Sequence, residues 1–139
     1  MIDLKKWHGR PTNPRPFCRG VMVTPTHRYA MTGEIAIRVD THIPVSSYCA
    51  VDTEDSSVSV VDQLLLSDYI PIPDWYKGII LDIRKQVVGI ALISGCAVDL
   101  KYYKLLTGLP QCSAGWIMGK GLVFYGRGYG GIIMQLRME

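Results

Sequence analysis

Hydrophobic and polar positions alternate most clearly toward the end of the stretch Arg28 to Val39. Ile35, Ile37 and Val39 share one side there, and Glu34, Ala36 and Arg38 share the other. A period of two predicts a half-buried antiparallel strand running in extended form through that stretch. Residues 17–24 read as a preceding strand, with Val21 and Val23 either side of Met22 and a turn at Pro25-Thr26-His27. Residues 2–8 give one or two helical turns, and the proline-rich connector from Gly9 to Pro16 stops them. Residues 41–57 are loop-like, with a short strand near Tyr48 to Val51. Ser56 or Ser57 then caps a helix whose Val60, Val61, Leu64 and Leu65 form one apolar stripe, and Pro71 and Pro73 end it. Residues 79–93 are β-rich around a polar hairpin tip, Arg84-Lys85-Gln86. Tyr102, Leu105, Leu106 and Leu109 recur at helical spacing behind Asp99, an N-cap candidate, and Gly108 and Pro110 close that helix. Strands at 116–118, 122–125 and 131–138 finish the chain, with glycines supplying tight turns between them. Helices segregated from strands in this way predict an α+β fold, two short helices packed on one face of an antiparallel sheet.

Length and composition narrow the class without naming a function. A chain of 139 residues is one domain, 1–139, long enough to build its own core. It is 48% hydrophobic and 19% charged, which excludes a disordered tail, a collagen or a highly charged coiled coil. The opening Met1-Ile2-Asp3-Leu4-Lys5-Lys6 has no apolar signal region, and the run from Val87 to Val98 is shorter than the ~20 residues of a membrane span. The expectation is a soluble cytoplasmic domain with no membrane partner. Cys18, Cys49, Cys96 and Cys112 lie far apart, and neither they nor His8, His27 and His42 make the close pairs of a zinc site. The thiols are expected to be reduced and mostly buried, and no cofactor is expected.

Charge divides into three blocks. Residues 1–38 hold seven Lys/Arg against two Asp/Glu, residues 39–76 hold seven Asp/Glu and no Lys or Arg, and residues 77–139 hold eight Lys/Arg against three Asp/Glu. If the chain ends meet, one basic region faces a polyanion while the acidic segment points elsewhere. The candidate chemical motifs are weak. Gly126-Arg127-Gly128-Tyr129-Gly130-Gly131 resembles a phosphate loop but lacks the following helix and parallel strand, so it reads as a hairpin. Asp74 and Asp82 with Lys85 echo a metal-nuclease triad, yet Arg84 stands where the lysine belongs and stays protonated. Asp52, Glu54 and Asp55 lack the glycine and glutamate of a calcium loop. No catalytic constellation emerges, so no enzyme is expected. Lys101 and Lys104 lie three apart on one helix, suited to phosphate contacts that read no bases.

Taken together, several segments resemble the bacterial DNA polymerase III β sliding clamp, especially its shorter phage-encoded relatives. They are Arg15-Pro16-Phe17-Cys18-Arg19-Gly20-Val21-Met22-Val23 and Tyr29-Ala30-Met31-Thr32-Gly33-Glu34-Ile35-Ala36, then Ile72-Pro73-Asp74-Trp75 and Val98-Asp99-Leu100-Lys101-Tyr102-Tyr103-Lys104-Leu105-Leu106. Gly121-Leu122-Val123-Phe124 and Ile133-Met134-Gln135-Leu136-Arg137-Met138 resemble the last two clamp strands. Thr32-Gly33 lacks the usual turn aspartate, Gln135 replaces a common proline, and a bacterial clamp subunit is three such domains long. The resemblance implies a DNA clamp-like, non-enzymatic protein of phage or prophage origin, acting in DNA replication or repair. Paired helices would turn Lys5, Lys6, Lys101 and Lys104 toward double-stranded DNA. One domain cannot encircle a duplex, so a homo-oligomer closed through sheet edges is implied. Met134, Leu136 and Met138 are the candidates for a protein-partner pocket. The alternative is a small phage interaction protein on the same scaffold that binds or inhibits a host protein without contacting DNA.

Overall fold

The computed structural model describes residues 1–72, 78–81, 87–93 and 96–136. Short 3-10 turns at Leu4–Lys6 and Pro16–Cys18 precede strands β1 (Val21–Val23), β2 (His27–Met31), β3 (Ile35–Asp40) and β4 (Ala50–Val51). Helix α1 (Asp55–Leu66) follows, then β5 (Ile70–Ile72), β6 (Gly78–Leu81), β7 (Val87–Ile93) and β8 (Cys96–Asp99). Helix α2 (Leu100–Tyr103) tightens into a 3-10 segment, Lys104–Gly108, before β9 (Ser113–Ile117), β10 (Gly121–Gly126) and β11 (Tyr129–Met134). Eight strands make one sheet in the order β4-β1-β2-β3-β11-β10-β9-β5, and β6-β7-β8 make a second. Pairing within the sheets is antiparallel except between β1 and β4. The chain is α+β.

Pleating sorts the core into two clusters, one on each face of the large sheet. Val21, Ala30, Ile35, Ile37, Leu122, Phe124 and Ile133 meet Ile2, Leu4 and Trp7 of the N-terminal segment, Val98 of β8 and Leu106 beyond α2. The alternate positions Met22, Tyr29, Met31, Ala36, Val123 and Ile132 meet Val61 of α1, with Phe17, Val58, Leu64 and Leu65 packed alongside. The two lysine-bearing segments lie on one face as expected, but the helices are not confined to it. The N-terminal turn and α2 share one face, and α1 covers the other. The reason lies in β3, whose supposedly polar side offers buried Ala36 to α1 and Arg38 to an α1 carboxylate, so both faces require cover.

Other differences have local causes. The stretch Arg28–Val39 is a hairpin of two strands, because the Thr32 hydroxyl accepts from the N–H groups of Glu34 (3.0 Å) and Ile35 (3.2 Å). A 3-10 turn, Pro16–Cys18, takes up the start of the strand expected over 17–24, closed by Cys18 N–H to Arg15 C=O and Arg19 N–H to Pro16 C=O. Residues around Pro71 form β5, which tolerates a proline because it is the sheet edge. The glycine-rich stretch is the β10–β11 hairpin, with Gly128 at φ +79° in its two-residue turn. Cys18 is buried, but Cys49 is exposed beside edge strand β4 and Cys112 is half-buried; all three are free thiols. The hairpin tip at 84–86 and the acids Asp74 and Asp82 lie outside the described residues.

The sheet contains a two-part repeat. β3 and β11 pair at its centre, and on either side the order reads β3-β2-β1 and β11-β10-β9. Each three-strand meander is preceded by a matching short sequence, Ile2-Asp3-Leu4-Lys5 before the first and Val98-Asp99-Leu100-Lys101 before the second, identical after the β-branched first residue. The Asp3 carboxylate accepts the Lys5 N–H (3.1 Å), and the Asp99 carboxylate accepts the Lys101 N–H (2.9 Å). In both halves an aspartate satisfies an otherwise unpaired amide at the start of the turn.

Candidate nucleic-acid interface

Lys5 and Lys6 close the first of these turns, and Lys101 and Lys104 belong to the second; all four are exposed. The turns pack on one face of the sheet because their apolar residues enter the same cluster. Ile2, Leu4 and Trp7 arrive from one side, Leu105, Leu106 and Leu109 from the other. Trp7 also lies against Phe124 of β10, ring centroids 5.2 Å apart, which fixes the first turn to the sheet. Between the two segments runs a groove of about 160 Å³ lined by Met1, Asp3, Lys6, Trp7, Lys104 and Thr107 among others. Lys6 and Lys104 therefore share one groove although they come from opposite ends of the chain. Lys101 lies over the Tyr102 ring, its Nζ 4.8 Å from the centroid.

The acidic middle of the chain faces elsewhere. On α1, Asp62 accepts from Arg38 (3.0 Å) and from the Tyr29 hydroxyl (2.7 Å). Burial and that carboxylate push the Tyr29 phenol well above its ordinary range, so it stays a neutral donor. Glu54 caps α1, and hydroxyl bonds from Ser56 and Ser57 (each 2.7 Å to Oε2) pull its carboxyl down. The N-terminal turn and the α2 segment thus bring Lys5, Lys6, Lys101 and Lys104 to one face, while α1 covers the other, where Arg38 meets Asp62.

The three apolar candidates part company. Met134 is exposed and lines two grooves. Leu136 is half-buried, and its N–H donates to the Ala97 carbonyl (2.7 Å), tying the chain end to β8. Met138 lies outside the described residues.

One constellation was invisible to spacing. Thr26 Oγ1 is 2.8 Å from His27 Nδ1, and His27 Nε2 is 3.1 Å from Asp40 Oδ1. This has the connectivity of a hydroxyl–imidazole–carboxylate relay. The backbone N–H groups of Thr26 and His27 are both spent on Thr24 Oγ1, so those amides offer nothing to an oxyanion. The relay instead joins the β1–β2 turn to the end of β3. Among the described residues no three His, Cys, Asp or Glu side chains converge as metal ligands, and no helix is long and apolar enough to cross a membrane.

No family model, curated protein or solved structure matches this chain. The site therefore stands on its own geometry. Sequence reading found its four lysines but missed the repeat that relates them, although Asp3-Leu4-Lys5 and Asp99-Leu100-Lys101 were there to compare.

Proposed function

We propose that this chain is a non-enzymatic, clamp-like protein that binds duplex DNA without regard to sequence, acting as a homo-oligomer in DNA replication or repair. The observation that supports the reading is the common groove of Lys6 and Lys104, with Lys5 and Lys101 exposed on the two repeated Asp-Leu-Lys turns. Ammonium groups on flexible stems contact phosphates as point charges and leave base edges unread, which is the chemistry of sliding contact. The acids of α1 lie on the other face, where they do not oppose a polyanion.

A homo-oligomer requires a contact surface. At the β5 edge, Pro71 lacks an N–H and blunts strand pairing, but exposed side chains gather beside it. Tyr69 and Tyr125 share a hydroxyl bond of 2.9 Å, next to Ile70 and to Leu66, which is 84% exposed. Self-association through this patch predicts an assembly larger than the 15.5 kDa chain in light scattering, and Ile70→Asp returns it to monomer. Duplex binding followed by anisotropy tests the DNA role: Kd of about 10⁻⁴ to 10⁻⁶ M at physiological salt, the same for unrelated sequences. Absence of binding at low salt would end that reading.

A further inference from the structure

One buried cation on the face of the four lysines has no part in their groove. Arg28 of β2 alternates with Tyr29, so it points to the same side as Ala30, toward the cluster that anchors both lysine turns. It is 8% exposed, and among the described residues it alone is a buried charged side chain. No carboxylate pairs with it there: the ion pairs are His27 with Asp40 and Arg38 with Asp62. Its Nη2 donates instead to two backbone carbonyls, that of Asp40 at 2.6 Å and that of Ile43, while Nε has no partner. Two neutral acceptors offset the lost hydration of a guanidinium only in part, and an apolar side chain would fill this place at less cost. The guanidinium is therefore explained by what it holds.

What it holds is a strap, residues 41–46, that leaves the end of β3 and crosses to the N-terminal segment. The strap starts in a turn closed by Ile43 N–H to Asp40 C=O (3.1 Å) and tied to the β1–β2 turn by Thr41 N–H to Thr26 C=O (3.1 Å). Ile43 and Val45 pack against the cluster that holds the lysine turns. At the far end Val45 bridges Ile2 in parallel pairing, and the Ser46 N–H donates to the Ile2 carbonyl (3.0 Å). Leu4 and Trp7 hold the first lysine turn down on the sheet, and the strap sets the line along which the chain enters it. The second turn needs no strap, because β8 runs directly into α2. We infer that Arg28 is a positioning residue for the lysine face: it locks the 41–46 strap, and the strap aims Lys5 and Lys6. The purpose of that aim rests on the proposed DNA function, whereas the coupling itself does not.

Two variants of the full chain separate the links. Arg28→Met removes the clamp on the strap, and Ser46→Pro removes the N–H that bonds Ile2 while changing no charge. Amide hydrogen exchange, read without DNA, is expected to speed up about tenfold or more at Lys6 and Trp7 in both variants. At Thr41 and Ile43 it is expected to speed up in Arg28→Met alone, and the β10 and β11 amides are expected to keep the parent rates. Duplex binding adds the functional readout. Each variant is expected to flatten the slope of log K against log salt by about 1 to 2, the share of Lys5 and Lys6. Lys5→Ala with Lys6→Ala is then expected to add no further flattening in the Ser46→Pro background. A residue that mattered only for stability would lower affinity at every salt concentration and leave the slope alone. Unchanged exchange at Lys6 and Trp7, equal acceleration in β10 and β11, or an unchanged slope in a chain that binds DNA would each overturn the assignment. If the parent chain binds no duplex at low salt, the DNA reading falls, and the exchange pattern by itself decides for or against Arg28.

Discussion

The two halves of the large sheet begin alike and diverge immediately. Asp3 and Asp99 make the same bond to the lysine two residues on, yet the first turn stops after Leu4–Lys6 whereas the second continues through α2 into Lys104–Gly108. In the first half a single short turn buries both Leu4 and Trp7, and a proline-rich connector then leads to β1. The second half spreads its contacts over a longer segment, with Leu106 buried and Tyr102, Tyr103, Leu105 and Leu109 half-buried around it. A short turn anchored by two large buried side chains brings its two lysines to the same face as the longer, shallower segment does. The lesson is that anchoring, more than helical length, positions the cations.

That comparison breaks most visibly at its anchors. Leu4 is fully buried and its counterpart Leu100 only half-buried, so Leu4→Ala should cost about 2–5 kcal/mol and Leu100→Ala less than half as much, read from urea unfolding. Equal losses would mean that the halves are anchored alike. A smaller effect separates the two sheet faces. Tyr29 is bonded to Asp62 of α1, and Tyr129 to the Pro110 carbonyl at 2.5 Å; burial is the first cause holding both phenols above their ordinary range. A raised folded-state value means that their contribution is complete below about pH 10 and is lost as pH rises through that value. Tyrosinate absorbance should therefore appear for these two only together with loss of folded-state circular dichroism. Tyr29→Phe and Tyr129→Phe should each cost about 1 kcal/mol at neutral pH. The caps come last: Asp99→Ala should lose about 1 kcal/mol, and Asp3→Ala less, because the three-residue turn it starts is held mainly by Leu4 and Trp7.

Legibility in the sequence followed the physics of each element. The alternation Ile35, Ile37, Val39 and most of the stripe Val60, Val61, Leu64, Leu65 were readable because burial imposes a period on one chain segment; Val60 departs from it and is exposed. The hairpin at Arg127-Gly128 was readable because glycine marks a positive φ. The position of α1 was not, since Ala36 is mute about which face it occupies and Arg38 looks solvated until Asp62 is brought to it. β5 was hidden because proline reads as a terminator unless the strand is known to lie at an edge. Lys5, Lys6, Lys101 and Lys104 could be named as cations, but the groove that Lys6 and Lys104 share depends on contacts between distant parts of the chain, such as β3 with β11.

The most direct test of the central claim is the salt dependence of duplex DNA binding for the parent chain and for Lys6→Ala with Lys104→Ala. Each phosphate contact contributes about 0.9 to the slope of log K against log salt, so the double variant should flatten that slope by about 2. An unchanged slope, or binding that ignores salt in the parent chain, would contradict a shared cationic face built from the two repeated turns.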